Sequence, residues 1–170
     1  MSKQNGALKF AICETCKGWV GVVGSSAGLQ MVILPLKSKT ELLVRISTMG
    51  GQAANSDSDS LANLTGRIKR YFAGEMIDFD DKLDLTGTDF QQKVWSEVRR
   101  IPRGQSRSYS WVASRVGSPK AARAVGQVMA RNPVPIVVPC HRVVRENGKP
   151  GGFGGGSEMK KFLLHLEQSA

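Results

Sequence analysis

Asn132-Pro133-Val134-Pro135-Ile136-Val137-Val138-Pro139-Cys140-His141-Arg142-Val143 is the stretch on which the C-terminal half of this chain turns. Prolines at 133, 135 and 139 restrict the backbone and remove amide donors, which excludes the segment from a helix interior. It reads as a rigid apolar strand ending in Cys-His-Arg, the wall of a pocket. A thiol attacks as the thiolate, whose fraction rises beside a base or a positive field, and His141 and Arg142 follow Cys140 directly. The opposing reading is a buried structural cysteine, the commoner fate of a lone Cys. These residues alone leave both open.

The half around this stretch is strongly basic. Residues 88–170 hold fourteen Lys+Arg against five Asp+Glu, whereas residues 1–87 hold ten against nine. Nearly all of the formal net charge of +10 therefore lies on the side of Cys140. Nine of the fourteen are arginines, the side chain best suited to bidentate phosphate contact. A solvated basic face would account for a few lysines. An arginine-rich half points to a polyanion, nucleic acid above all.

Helical patterns precede the cysteine. Thr88 or Asp89 caps a helix with Phe90, Val94, Trp95 and Val98 on one face, stopped by Ile101-Pro102-Arg103-Gly104. Ser108 to Val116 forms a shorter helix ended by Gly117. Ser118 as cap and Pro119 in the first helical position open a third, running to about Arg131. Two helices about a glycine turn make a helix-turn-helix candidate. The third helix sets one Arg123 among the small residues Ala122, Ala124 and Gly126. That face fits a narrow groove or tight packing on a neighbouring helix equally well. A last helix, about Ser157 to Gln168, follows the loop Gly151-Gly152-Phe153-Gly154-Gly155-Gly156.

The N-terminal half reads as a meander followed by a helix. Leu8–Cys13, Trp19–Val23 and Leu29–Leu36 are short apolar runs punctuated by Gly18, Gly24-Ser25-Ser26 and Ala27-Gly28. Lys39–Ser47 fits a strand or a short helix. Residues 50–59 form a polar loop, and Ser60–Phe72 has apolar residues at 61, 64, 68 and 72, the helical spacing. Asp78–Leu85 is acidic and without period, and it reads as the linker between domains 1–84 and 85–170. No stretch nears the roughly 20 apolar residues of a membrane span. The polar start Met1–Gly6 lacks a signal peptide's apolar core, and three cysteines make an odd count that suits a reducing compartment. The expected location is cytoplasmic, at the nucleoid if the source is prokaryotic.

Ser108-Tyr109, the helix Pro119–Met129, Asn132-Pro133-Val134-Pro135 and Pro139–Val143 together resemble the O6-alkylguanine-DNA alkyltransferases, also called methylated-DNA–protein-cysteine methyltransferases. The match runs from about Asp89 to Glu167; the N-terminal half matches more loosely, through Gly18-Trp19, Gly28-Leu29 and Leu34-Pro35. The resemblance implies an α+β chain with an RNase H-like N-terminal sheet and a winged helix-turn-helix C-terminal domain bearing the acceptor cysteine. It implies DNA repair by direct reversal: the alkyl group of O6-alkylguanine, and of O4-alkylthymine, passes irreversibly to Cys140 after base flipping, once per molecule. By the same resemblance His141 is the base, Glu167 its orienter and Tyr109 the proton donor to the departing guanine. Arg123 enters the vacated stack, while Ala122, Ala124 and Gly126 lie in the minor groove. Asn132 ties the turn before the cysteine segment, and Arg142 braces the site. Met129, Val143, Phe153 and Gly154 line the base pocket. The partner is double-stranded DNA, bound by a monomer, with cooperative assembly on DNA left open.

Two features depart from the family pattern. Some members carry Tyr and Ser where Phe153 and Gly154 stand, which touches the pocket's fine selectivity. Cys13-x-x-Cys16 resembles half of a zinc site, yet the only histidines are 141 and 165. Two ligands make no site, so neither metal nor cofactor is expected. The rival functions are a non-catalytic sensor of alkylated bases, a helix-turn-helix regulator with Cys140 merely buried, and a Cys-His-Glu hydrolase.

Overall fold

Apolar runs too short for helices, broken by glycine, pair into a sheet. In a computed structural model, which describes residues 8–48 and 59–169, the chain divides into two compact units at Leu85/Thr86. Most of the polar stretch 50–59, and Met1–Gly6, lie outside the described residues.

In the first unit β1 (Lys9–Thr15), β2 (Gly18–Ser25) and β3 (Gly28–Leu36) form an antiparallel meander in the order β1-β2-β3. Gly18 has φ 122°, and a Cβ there would lie 2.3 Å from the Leu36 carbonyl oxygen, so only glycine fits this corner. Lys39–Ser47 is helix α1, capped by Ser38, whose hydroxyl accepts from the Glu41 amide at 3.1 Å. It covers one face of the sheet: Leu42 and Ile46 pack with Val23 and Ile33, and a Cβ on Gly21 would meet Leu42 at 2.9 Å. Helix α2 (Asp59–Phe72) covers the other face through Leu61, Leu64, Ile68 and Phe72. With both faces covered, Val20, Val22 and Val23 of the central strand are all buried.

Asp78–Leu85 is not a free linker. The Leu29 amide donates to the Lys82 carbonyl at 2.8 Å and the Asp84 amide to the Leu29 carbonyl at 2.9 Å. Asp84 also accepts from Ser25 and Gln30, and Asp81 from Arg67. Non-periodic acidity marked a segment held by its carboxylates rather than a loose tether.

The second unit begins with α3 (Asp89–Arg99), which has a complete capping box: Thr88 accepts from the Gln91 amide and the Gln91 side chain from the Thr88 amide. A two-residue strand, β4 (Arg107–Ser108), leads into α4 (Tyr109–Arg115), capped by Ser108 and followed by Gly117 at φ 78°. Helix α5 is Ala122–Ala130, without a side-chain cap. Ser118 and Pro119 do not open it. The Ala121 amide donates to the Ser118 carbonyl at 2.8 Å, so Ser118–Ala121 is a turn with proline in its second position, which proline's fixed φ also suits. β5 (Val143–Val144) pairs in parallel with β4, and α6 (Gly156–Gln168) closes the unit. Val94, Val98, Val112, Val125, Val134, Val138, Val143 and Leu163 are its water-free centre.

Candidate active site

The apolar stretch before Cys140 is no strand. Residues 133–138 fold back on themselves: the Val138 amide donates to the Val134 carbonyl at 2.9 Å, leaving a single bridge from Pro135 to Val138. Three prolines strip the segment of the amides a ladder requires. Asn132 supplies what the backbone lacks, its Nδ2 donating to the Val138 carbonyl at 2.8 Å and its Oδ1 accepting from the Val134 amide at 3.1 Å. Inside this loop Ile136 holds φ 75°, a left-handed conformation that costs a β-branched residue about 1–3 kcal/mol. Pro139 (φ −78°, ψ 65°) then makes an inverse γ-turn, with the Cys140 amide donating to the Val138 carbonyl at 2.7 Å. The chain enters one 3₁₀ turn, Cys140–Arg142, which buries all three side chains.

Beneath the turn lies Glu167 of α6. His141 Nε2 is 2.8 Å from Glu167 Oε1. Arg142 grips the same carboxylate twice, Nε to Oε2 at 2.9 Å and Nη2 to Oε1 at 2.8 Å, and sends Nη1 to the Ile101 carbonyl at 2.6 Å. Burial pushes the Glu167 carboxyl up, but hydrogen bonds and charge from His141 and Arg142 outweigh it and hold the group well below the usual carboxylate range. Burial pushes the His141 imidazole down against the pull of Glu167. An ionised Glu167 facing a neutral imidazole requires the Nε2–H tautomer, which makes Nδ1 the acceptor. The arrangement supplies a buried, oriented base on the residue next to the thiol.

Cys140 is 2% exposed, and burial raises its thiol to about 11, countered by hydrogen bonding from Asn132 and by the charge of Lys160. Lys160 escaped the sequence reading. It is wholly buried, donating from Nζ to the Val143 carbonyl at 2.6 Å and to the Tyr109 hydroxyl at 3.3 Å. Burial lowers its ammonium to about 8. The signal was available once Glu167 is placed inward, because 160, 163 and 167 share one helix face.

Tyr109 borders an open cleft of about 630 Å³, with Ser110, Ala122, Arg123, Gly126, Gln127 and Ala130 on one side and Arg145, Glu146, Gly151 and Gly152 completing it. Of the residues singled out in the sequence, Tyr109, Arg123, Ala122 and Gly126 share this cleft. Met129 and Val143 lie in the core, while Phe153 and Gly154 sit on the loop before α6; none of the four borders the cleft. Ala124 and Asn132 also lie off it. A Cβ on Gly151 would fall 2.0 Å from the Tyr109 hydroxyl, so the loop and the phenol touch. Among the described residues no group of three or more His, Cys, Asp or Glu stands ready for a metal.

Fold and site define a chain with an oriented cysteine–histidine–glutamate constellation at the foot of a helical unit. Residues 89–169 match the family of the 6-O-methylguanine DNA methyltransferase DNA-binding domain. The methylated-DNA–protein-cysteine methyltransferase of Methanosarcina acetivorans is 39% identical over 162 residues, 95% of this chain and 99% of the relative. That of Mycobacterium tuberculosis is 49% identical over 113 residues, 66% and 68% of the two chains. The crystal structure of the M. tuberculosis O6-methylguanine methyltransferase superposes with a TM-score of 0.78 at 37% identity, covering 95% of this chain and 93% of that one. The M. tuberculosis protein in complex with DNA gives 0.79 at 37% identity and the same coverage. The chain belongs to the methylated-DNA–protein-cysteine methyltransferase family.

Proposed function

We propose that this chain repairs duplex DNA by moving the alkyl group of O6-alkylguanine onto Cys140, where it stays. The observation that carries this is the buried Cys140 whose neighbour His141 is oriented by an ionised Glu167. The Cys140 proton passes through a water to His141 Nδ1, and Glu167 stabilises the imidazolium. The thiolate displaces guanine from the alkyl carbon, so a C–S bond forms as the C–O6 bond breaks. The departing guanine anion takes a proton from Tyr109, whose phenolate Lys160 stabilises through its hydrogen bond. The product thioether has no leaving group, which makes the reaction stoichiometric. O4-alkylthymine presents the same exocyclic ether and is the second expected substrate.

Such a carbon is out of reach inside a stacked duplex, so the nucleotide is extruded. In this reading α4 and α5 are a helix-turn-helix, the hairpin 144–150 is its wing, and the sheet of the first unit is RNase H-like. The small face of α5, Ala122 and Gly126, presses into the minor groove with Ala124, and Arg123 fills the vacated stack. Met129, Val143, Phe153 and Gly154 wall the flipped base, and the chain works as a monomer. The test is incubation with duplex DNA carrying a labelled O6-methylguanine. One methyl per protein molecule is expected on the peptide containing Cys140, and none with Cys140→Ala. Failure of the wild-type chain to take up label overturns the reading, and turnover beyond one methyl per molecule overturns the single-use mechanism.

A further inference from the structure

The cleft beside Tyr109 contains two arginines, and the mechanism uses only Arg123. The second, Arg145, comes from the hairpin that follows β5. That hairpin is well tied: the Arg145 amide donates to the Lys149 carbonyl at 3.0 Å, the Gly148 amide to the Arg145 carbonyl at 2.8 Å, and Val144 bridges Pro150. Gly148 at φ 73° and the Asn147 side chain, which accepts from the Lys149 amide, complete the turn. Arg145 therefore projects from a fixed backbone.

Its guanidinium differs from those of five other arginines. Arg67, Arg70, Arg100, Arg115 and Arg142 are each tied to a carboxylate. Among the described residues Arg123 and Arg145 are not, although Glu146 also borders the cleft. A solvent-facing cation held in a cleft wall and left without a carboxylate is placed for an anion that arrives with the ligand. The charge of Arg145 reaches inward as well, acting on both Tyr109 and Lys160.

We propose that Arg145 grips a backbone phosphate flanking the extruded nucleotide, so that the hairpin and α5 act as two cationic jaws. The inference rests on the proposed function, because extruding the nucleotide carries its flanking phosphodiesters to this wall. Arg123 replaces the base in the stack; Arg145 holds the strand out. The neighbouring Glu146 repels a phosphate from its own position and narrows the grip to one phosphodiester.

The experiment measures binding and single-turnover methyl transfer by the full chain on an O6-methylguanine duplex across a KCl series. For Arg145→Gln, affinity is expected to fall about three- to tenfold, and the slope of log affinity against log salt to become shallower by about 0.9, the loss of one phosphate contact. Arg145→Lys is expected to keep the slope. Replacing the gripped phosphate with a neutral methylphosphonate should bring wild-type and Arg145→Gln proteins to the same affinity. An unchanged salt slope in Arg145→Gln overturns the proposal, as does a wild-type advantage that survives methylphosphonate at every phosphate flanking the lesion. If the wild-type protein accepts no methyl group, the repair reading itself has failed; if it does and Arg145→Gln behaves identically, only the grip has. Arg145 is exposed, so an unaltered melting temperature serves as the folding control.

Discussion

Glu167 serves two masters, and that makes it the most informative single position. It orients His141 and neutralises Arg142 with the same two oxygens. Glu167→Gln keeps the shape but loses the charge that stabilises the imidazolium and fixes its tautomer. Single-turnover methyl transfer is expected to slow by about 10²–10⁴-fold, within the range of general-base catalysis. Because one partner of a buried ion pair is removed, stability should fall by about 3 kcal/mol or more, read by urea denaturation. An unchanged rate alongside that loss would reduce Glu167 to a structural role. The same group sets an acid response. Its folded-state carboxyl lies below the usual value of about 4.3, so it contributes stability above that pH and loses it as pH falls further. The folded-state imidazole of His141 also lies below the usual value of about 6.5, so the unfolded chain takes up a proton first. Melting temperature is expected to decline as pH falls from about 6.5, and His141→Gln should flatten that first part of the decline.

At the scale of elements, caps and glycines show where the local rules hold. The capping box of α3 is complete in the sequence, since Thr88 and Gln91 stand three apart before an apolar face. Thr88→Ala is expected to cost about 0.5–2 kcal/mol, measured by thermal or chemical denaturation, with methyl transfer intact. Gly151 matters for another reason. Its missing side chain is where the Tyr109 hydroxyl sits, so Gly151→Ala displaces the phenol or the loop. The expected outcome is a folded protein with impaired transfer to Cys140, and a normal transfer rate would show that the contact has no part in the reaction. Helix start signals located α3 at Thr88 or Asp89 and α4 at Ser108, while Lys39–Ser47 stayed open between strand and helix although Ser38 caps it. They failed at Ser118-Pro119, because proline's φ fits a turn as well as a first helical turn.

On the scale of the molecule, the charge asymmetry has a direct consequence. Fourteen basic residues in the C-terminal half, with Arg123 and Arg145 in an open cleft, predict affinity for undamaged duplex DNA that falls steeply with salt. Fluorescence anisotropy across a KCl series is expected to give a log–log slope of about −3 or steeper, and a flat response would deny the basic surface a role. Among the described residues no helix is long and apolar enough to cross a membrane.

Local chemistry was readable because it is local. The meander, the caps, the basic half and the Pro-Cys-His-Arg-Val signature each depend on residues a few positions apart, and family resemblance could therefore attach roles to them. Packing decided the rest. Three prolines excluded a helix for residues 132–138, but only the fold-back secured by Asn132 shows a strained loop in place of a strand. Asp78–Leu85 looked like a tether until its carboxylates found Arg67, Ser25 and Gln30. Glu167 and Lys160 belong to a helix whose composition reads as solvated, and both are buried. A charged side chain tolerates burial only beside partners, and those partners, 25 residues away at Arg142 and 51 at Tyr109, are brought close only by folding.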